Sequence, residues 1–252
     1  MNQLPKLIAL LAAVLITVSA QAATTELPTL DAKFETTQCA IPCKKSVKRN
    51  WWMMRTAEQV ELRDAKKTDQ LANYGEVWQR TGNGKLSYFY LMHDDKRAIE
   101  YASVDLNMLG IATDDHEWQM QTQLVTEGEL ATMKKNTKKT SPYKGLATES
   151  YTGMVKDAKV NLVWIPELKI PLIAEYVYPK RKVTIRLRDV NGTNVMLANT
   201  IPSTFKIKAT DLALQDYQQI YYTDIGDMEQ EAGTQSWLVN AEGAPGLHAH
   251  RH

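Results

Sequence analysis

Strict alternation over residues 182–190 constrains this chain more than any other feature. Val183, Ile185 and Leu187 are apolar, and Thr184, Arg186 and Arg188 between them are polar. Successive side chains of a strand point to opposite faces. The segment therefore reads as a strand with one dry and one wet face, as antiparallel sheets have. The pattern recurs at residues 157–165, where Val160, Leu162 and Trp164 alternate with Lys159 and Asn161. Residues 143–151 and 172–178 read as neighbouring strands, set off by Pro166, Pro171 and the turn Pro179-Lys180-Arg181. Upstream, residues 49–55, 59–63, 75–80, 85–93 and 97–101 read the same way, and residues 217–222 make a last strand. Thr81-Gly82-Asn83-Gly84 is a turn by composition and joins its flanks as a hairpin.

Short helices are expected at residues 103–109, from a Ser103 cap to Gly110, and at residues 126–133, where Thr126 and Glu129 have capping-box spacing. Residues 134–141 have no apolar period and read as an exposed loop. Its basic cluster (Lys134, Lys135, Lys138, Lys139) is a solvated run that could touch anionic lipid headgroups. The fold class is thus mainly β, an antiparallel sheet with a few short helices.

The N-terminus places the chain in the cell. Lys6 is the only early charge, residues 7–18 are an apolar run, and Ser19-Ala20-Gln21-Ala22 follows. This is the layout of a signal peptide cleaved after Ala22, and the run is shorter than the about 20 residues of a spanning helix. The expected compartment is a bacterial periplasm. The expected organisation is a signal peptide over residues 1–22, a linker with a cysteine pair over 23–47, a β domain over 48–232 and a histidine-containing tail over 233–252. Lys plus Arg number 30 against 29 Asp plus Glu, a balance that gives no reason to expect nucleic acid.

In an oxidising compartment Cys39 and Cys43 are expected to form a disulfide around Ala40-Ile41-Pro42. A C-x-x-x-C copper or redox site is the alternative. His248, His250 and His252 share a face if the tail is extended, and neutral imidazoles suit zinc or copper. Metal handling by that tail is the second functional reading, and no cofactor is expected under the first. Asp224, Asp227, Glu229 and Glu231 crowd one stretch, but their spacing is not that of an EF-hand loop and reads as a solvated turn. No Gly-x-Ser-x-Gly, His-Glu-x-x-His, P-loop or Gly-x-Gly-x-x-Gly occurs. His93 beside Asp94 and Asp95, and His116 after Asp114 and Asp115, read as turn residues rather than general bases. A catalytic role is therefore not expected.

The run Tyr151-x-Gly153, Val160-x-Leu162-x-Trp164-x-Pro166, Ile170-Pro171-Leu172, Glu175 and Val183-x-Ile185-x-Leu187-x-Asp189-Val190 resembles the later strands of the LolA/RseB-like periplasmic proteins, carriers and sensors of lipoproteins. Residues from Gly75-Glu76-Val77-Trp78 to Glu100-Tyr101 resemble their front strands. Gly75-Glu76-x-Trp78, His93-Asp94 and Asp224-x-Gly226-Asp227-Met228-Glu229 also resemble an uncharacterised group of exported proteobacterial proteins. The resemblance spans residues 51–227. It implies a half-barrel, a curved antiparallel sheet with helices plugging its concave side, and in the carriers that cavity holds acyl chains. On this implication Val160, Leu162, Trp164, Val183, Ile185 and Leu187 form the candidate ligand groove. The implied partner is a lipid or lipoprotein of the cell envelope, with peripheral membrane contact. The cysteine pair, the acidic stretch and the histidine tail are departures from the carrier pattern.

Overall fold

The computed structural model describes residues 26–67, 70–137, 140–192, 212–225 and 244–245. The strands are β1 (Leu30–Ala40), β2 (Ser46–Arg55), β3 (Gln59–Lys67), β4 (Gln70–Leu71), β5 (Tyr74–Arg80), β6 (Leu86–Met92), β7 (Arg97–Tyr101), β8 (Lys134–Lys135), β9 (Glu149–Val155), β10 (Ala158–Ile165), β11 (Ile170–Val177), β12 (Arg181–Gly192) and β13 (Gln218–Tyr221). Three short helices, α1 (Ser103–Met108), α2 (Asp115–Gln123) and α3 (Glu127–Thr132), lie between β7 and β8. All strands belong to one curved, unclosed sheet. Its order is β13-β7-β6-β5-β3-β2-β1-β12-β11-β10-β9-β8, with β4 appended to β3. Among the described residues every pairing of named strands is antiparallel except that of β13 with β7.

This order explains where the helices go. Two antiparallel meanders, one from β1 to β7 and one from β8 to β12, are joined in the middle by β1 against β12, from Leu30 opposite Gly192 to Ala40 opposite Arg181. β7 and β8 therefore lie toward opposite ends of the sheet. The chain between them must cross a whole face, and α1 to α3 form on that crossing. We call this the inner face.

Two sequence expectations are corrected. Residues 30–40 were expected within a linker, yet they form a central strand paired on both sides. Leu30, Ala32 and Phe34 are buried on its inner face, so tertiary pairing holds a segment that is mostly polar from Glu35 to Gln38. The strand expected over 143–151 starts later, at Glu149. Tyr143 and Leu146 instead bridge a tight turn whose Lys144 and Gly145 have φ of 49° and 85°.

Capping chemistry accounts for the helices. Thr126 accepts from the Glu129 N–H and Glu129 reaches back to the Thr126 N–H, the expected capping box of α3. The cap of α1 is Ala102 rather than Ser103: the Ala102 N–H donates to Asp105 Oδ2 at 2.9 Å, and Ser103 Oγ donates to the Leu86 carbonyl. Sequence reading did not foresee α2, whose N-cap Asp114 accepts from the Glu117 N–H at 2.9 Å.

The inner face holds the main core. Residues opposite one another in register share a face, and Leu187, Phe34 and Trp51 form one such row across β12, β1 and β2. Trp78, Tyr88 and Tyr101 form another across β5, β6 and β7. Leu106 of α1 and Trp118 of α2 pack on this surface, and Val125 and Met133, flanking α3, pack on Val160, Leu162 and Trp164. Arg55 is wholly buried among them. Its guanidinium donates to the carbonyls of Thr122 at 2.5 Å, Leu168 at 2.6 Å and Pro28 at 3.2 Å. It thereby ties the residues just before β1, the C-terminal end of α2 and the β10–β11 connection together. Burial pushes its pKa down to about 9, which leaves it charged near neutrality, facing the negative end of the α2 dipole.

The outer face is mostly wet but carries two apolar patches among the described residues, a small one of Trp52, Met54 and Ala65 beside Leu71 and a larger one on β5 to β7. Val77, Phe89, Leu91 and Ala98 are covered there by Leu214 and Tyr217, just before β13 adds its parallel edge strand.

Candidate functional site: the open end of the inner face

Burial along the inner face falls in one direction on three central strands. On β1 it runs from Leu30, Ala32 and Phe34, all buried, to half-buried Thr36 and exposed Gln38. On β2 it runs from Arg55, Met53 and Trp51 to Arg49 and Val47, the last 75% exposed. On β12 Val190 and Leu187 are buried while Ile185 and Val183 are half-exposed. The helices seal one end of the face and stop short of the other.

That uncovered end is a shallow cleft of 540 Å³ lined by Thr36, Gln38, Ala40, Lys45, Val47, Arg49 and Arg181, among others. The Trp51 indole N–H donates to Thr36 Oγ1 at 3.0 Å beside it, and the Trp51 ring stacks on Phe34 with centroids 4.6 Å apart. Val183 and Ile185 adjoin the cleft, since they stand opposite Gln38 and Thr36. Tyr176, opposite Val183, and Tyr178 are half-buried on its far side. The Arg181 guanidinium lies 4.4 Å from the Tyr178 ring centroid. The cleft thus combines aliphatic and aromatic walls with cations at its mouth, a surface suited to an amphiphile with an anionic end.

Acids appear farther along the same face. Asp64 pairs with Arg49 at 2.6 Å, and Glu76 stands opposite Leu62 and Tyr90. Burial raises the Glu76 pKa, Arg49 pulls it down and Asp64 adds to the rise. Tyr74 stacks on Tyr90 at 6.1 Å and leaves its own ring 43% exposed.

The structure divides the expected groove residues. Val160, Leu162, Trp164 and Leu187 are buried, the first three against Val125 and Met133. Gly153, opposite Val160, leaves the space that Met133 Cγ fills, 2.9 Å from where a glycine-substituting Cβ would sit. Val183 and Ile185 remain open to solvent. The cleft residues missed by sequence reading include Lys45, Val47, Arg49 and Arg181. The available signal was parity: Trp51, Arg49 and Val47 share a face, as do Ile185, Val183 and Arg181, so each inner row brings one cation beside apolar side chains toward the open end.

Cys39 and Cys43 are joined in a disulfide at the tip of the β1–β2 hairpin. His93 does not use Asp94 or Asp95. Its Nε2 lies 2.8 Å from Glu61 Oε1 and its Nδ1 lies 2.8 Å from the Tyr217 hydroxyl, with Arg63 at 3.9 Å from the same carboxylate. The arrangement resembles a proton relay, but Glu61 and Tyr217 are buried on the outer face and the trio fastens the segment before β13 to the sheet. His116 lies in the first turn of α2. His248, His250 and His252, and the acidic stretch beyond Ile225, lie outside the described residues, as do residues 1–25. Among the described residues no group of three or more His, Cys, Asp or Glu is placed to hold a metal, and no helix is long and apolar enough to cross a membrane.

No protein-family model and no curated protein matches the chain. Solved structures with a similar fold include PNGF-II, at 9% identity and a TM-score of 0.37, covering 81% of this chain and 34% of that one. The chain thus spans about a third of PNGF-II. They also include the Pseudomonas aeruginosa MucA/MucB complex, at 10% identity and a TM-score of 0.33, covering 77% and 59%. A putative outer membrane lipoprotein-sorting protein domain from Vibrio parahaemolyticus is similar at 8% identity and a TM-score of 0.26, covering 68% and 87%. MucB is RseB-like, so both kinds of protein that the sequence resembles are present.

Proposed function

We propose that this chain is a non-enzymatic binding protein of the bacterial cell envelope, exported through residues 1–22, that holds the apolar part of a lipid or lipid-modified protein at the open end of its inner face. The observation that supports this reading is the one-sided cover. The same face is sealed around Leu187 and Trp51 yet leaves Ile185, Val183 and Val47 in contact with solvent. An uncovered apolar patch rimmed by polar groups marks an interaction site. Arg181, Lys45 and Arg49 border the patch and would meet an anionic end of the ligand. The buried groove residues Val160, Leu162, Trp164 and Leu187 then serve as the floor and wall that hold the lining in place.

Titration of the purified protein with a fluorescent fatty acid tests the reading. Saturable uptake is expected, lost in Ile185→Glu, which places a charge on the lining, and kept in Thr184→Glu, one residue away on the outer face. A folded wild-type protein that takes up no probe would sink the proposal. N-terminal sequencing of the exported form tests the address, with Ala23 as the expected first residue.

A further inference from the structure

The whole chain is almost neutral, with 30 cations against 29 acids, but its charges are segregated. Residues 39–49 and 178–182 contain Lys44, Lys45, Lys48, Arg49, Lys180, Arg181 and Lys182 and no Asp or Glu. These stretches are remote in sequence and adjacent in space. Ala40 pairs with Arg181, and the Ile41 N–H donates to the Lys180 carbonyl at 2.9 Å. The β1–β2 and β11–β12 turns therefore form one blunt tip at the open end of the sheet. The nearest acids are already engaged: Glu35 with Lys48 and Arg188, Asp64 with Arg49, and Glu175 with Lys182. Lys44, Lys45 and Lys180 make no ion pair among the described residues and project at the end of the molecule.

The same tip exposes apolar groups. Ile41 is 44% and Val47 75% exposed, and Tyr178 sits under Arg181. The Cys39–Cys43 disulfide joins the two sides of the loop that carries Ile41. Unpaired cations around exposed aliphatic side chains, with a tyrosine alongside, match the chemistry of the bilayer interface: anionic headgroups outside, acyl chains just beneath.

We propose that this tip docks on the surface of a bilayer containing anionic phospholipid. Lys44, Lys45, Lys180 and Arg181 meet the headgroups, and Ile41 and Val47 enter the boundary below them. The cleft shares Lys45, Val47 and Arg181 with the tip, so docking turns its mouth toward the membrane. The inference stands on the tip itself and does not require that the cleft hold a ligand.

Sedimentation with vesicles tests it, comparing phosphatidylcholine alone with a phosphatidylcholine–phosphatidylglycerol mixture. Binding is expected to the mixed vesicles only, and to weaken as salt shortens the screening length. Each lysine near an anionic surface contributes about fivefold in affinity, so the triple variant Lys44→Gln, Lys45→Gln, Lys180→Gln should bind about a hundredfold more weakly. Val47→Ser should lose about tenfold. These positions are exposed, and an unchanged melting temperature checks that each variant is folded. Wild-type binding by the triple variant, equal binding to both kinds of vesicle, or an unchanged affinity in Val47→Ser would each overturn the proposal. Fatty-acid uptake in solution is read separately in the double variant Lys44→Gln, Lys180→Gln, neither residue of which lines the cleft: weakened sedimentation with uptake kept supports the dock independently of the cleft, and wild-type sedimentation by this variant overturns it.

Discussion

At the scale of the residue, a buried cation, a close-packed glycine and a half-buried acid each make a sharp prediction. Arg55 satisfies carbonyls from three separate segments. Arg55→Met would leave those acceptors unpaired in the core, and each such group costs about 1–3 kcal/mol. A loss of at least about 3 kcal/mol in denaturant unfolding is expected; a loss below about 1 kcal/mol would mean that water reaches the site. Gly75 is fixed by close approach, since a Cβ there would collide with Glu61 Oε1 and come within 3.0 Å of His93 Nε2. Gly75→Ala should accordingly disturb the Glu61–His93 contact and lower stability. Glu76 is half-buried on the inner face with its pKa raised, chiefly by burial. A carboxyl whose folded pKa lies above its unfolded value favours the folded state when protonated, and that advantage is lost as pH rises through the folded pKa. Glu76→Gln should therefore stabilise the protein at pH 7 and do nothing at a pH where both states are already protonated. Melting temperatures at the two pH values check this, and an equal gain at both would point to packing instead of charge.

At the scale of the element, the cover over the inner face separates floor from lining. Leu162 is 1% exposed beneath Val125 and Met133, so Leu162→Ala should cost about 2–5 kcal/mol. Ile185 borders the open cleft, and Ile185→Ala should cost about 1 kcal/mol while weakening probe uptake more than Leu162→Ala does. Equal losses at the two sites would indicate that the cleft is as solid as the floor. Legibility in the sequence follows the same line. Strands β10 and β12 were legible because their side chains alternate between a dry and a wet environment, and β11 because prolines and a turn set it off between them. β1 was hidden because Thr36, Gln38 and their polar neighbours cease to be buried halfway along it. α2 was hidden because a helix lying across a sheet needs few apolar anchors, and of its nine residues Trp118 is the only buried hydrophobic one. Burial differs among the candidate groove residues for the same reason: periodicity gives the face on which a residue lies, while cover depends on where a crossing chain stops.

At the scale of the whole molecule, an open sheet must dispose of two edges and two faces, and one late segment serves both needs. Residues 212–225 run over the outer face, where Leu214 and Tyr217 cover Val77, Phe89, Leu91 and Ala98, and then supply β13 to the exposed edge of β7. The Tyr217 hydroxyl meets His93, and Ile220 and Ile225 return to the main core on the inner side. The segment works as a strap around the half of the sheet that contains β5 to β7. Burying a large side chain contributes about 1.5–3 kcal/mol, so Leu214, Tyr217, Ile220 and Ile225 together represent a large share of the about 5–15 kcal/mol that holds a typical domain folded. A chain ending at Gly192 should therefore lose more than four side chains: it exposes an apolar outer patch and an unpaired strand edge, the two features that drive association. Hydrogen exchange should quicken across β5 to β7 before β10 to β12, the dye 8-anilinonaphthalene sulfonate should bind, and the truncated protein should associate as its concentration rises. The β10 to β12 half keeps Val160, Leu162 and Trp164 under α3 and should remain the slower to exchange. Uniform loss of protection over the whole sheet would mean that the two meanders fold as one unit through β1 and β12, and that the strap stabilises the molecule as a whole rather than the half it wraps.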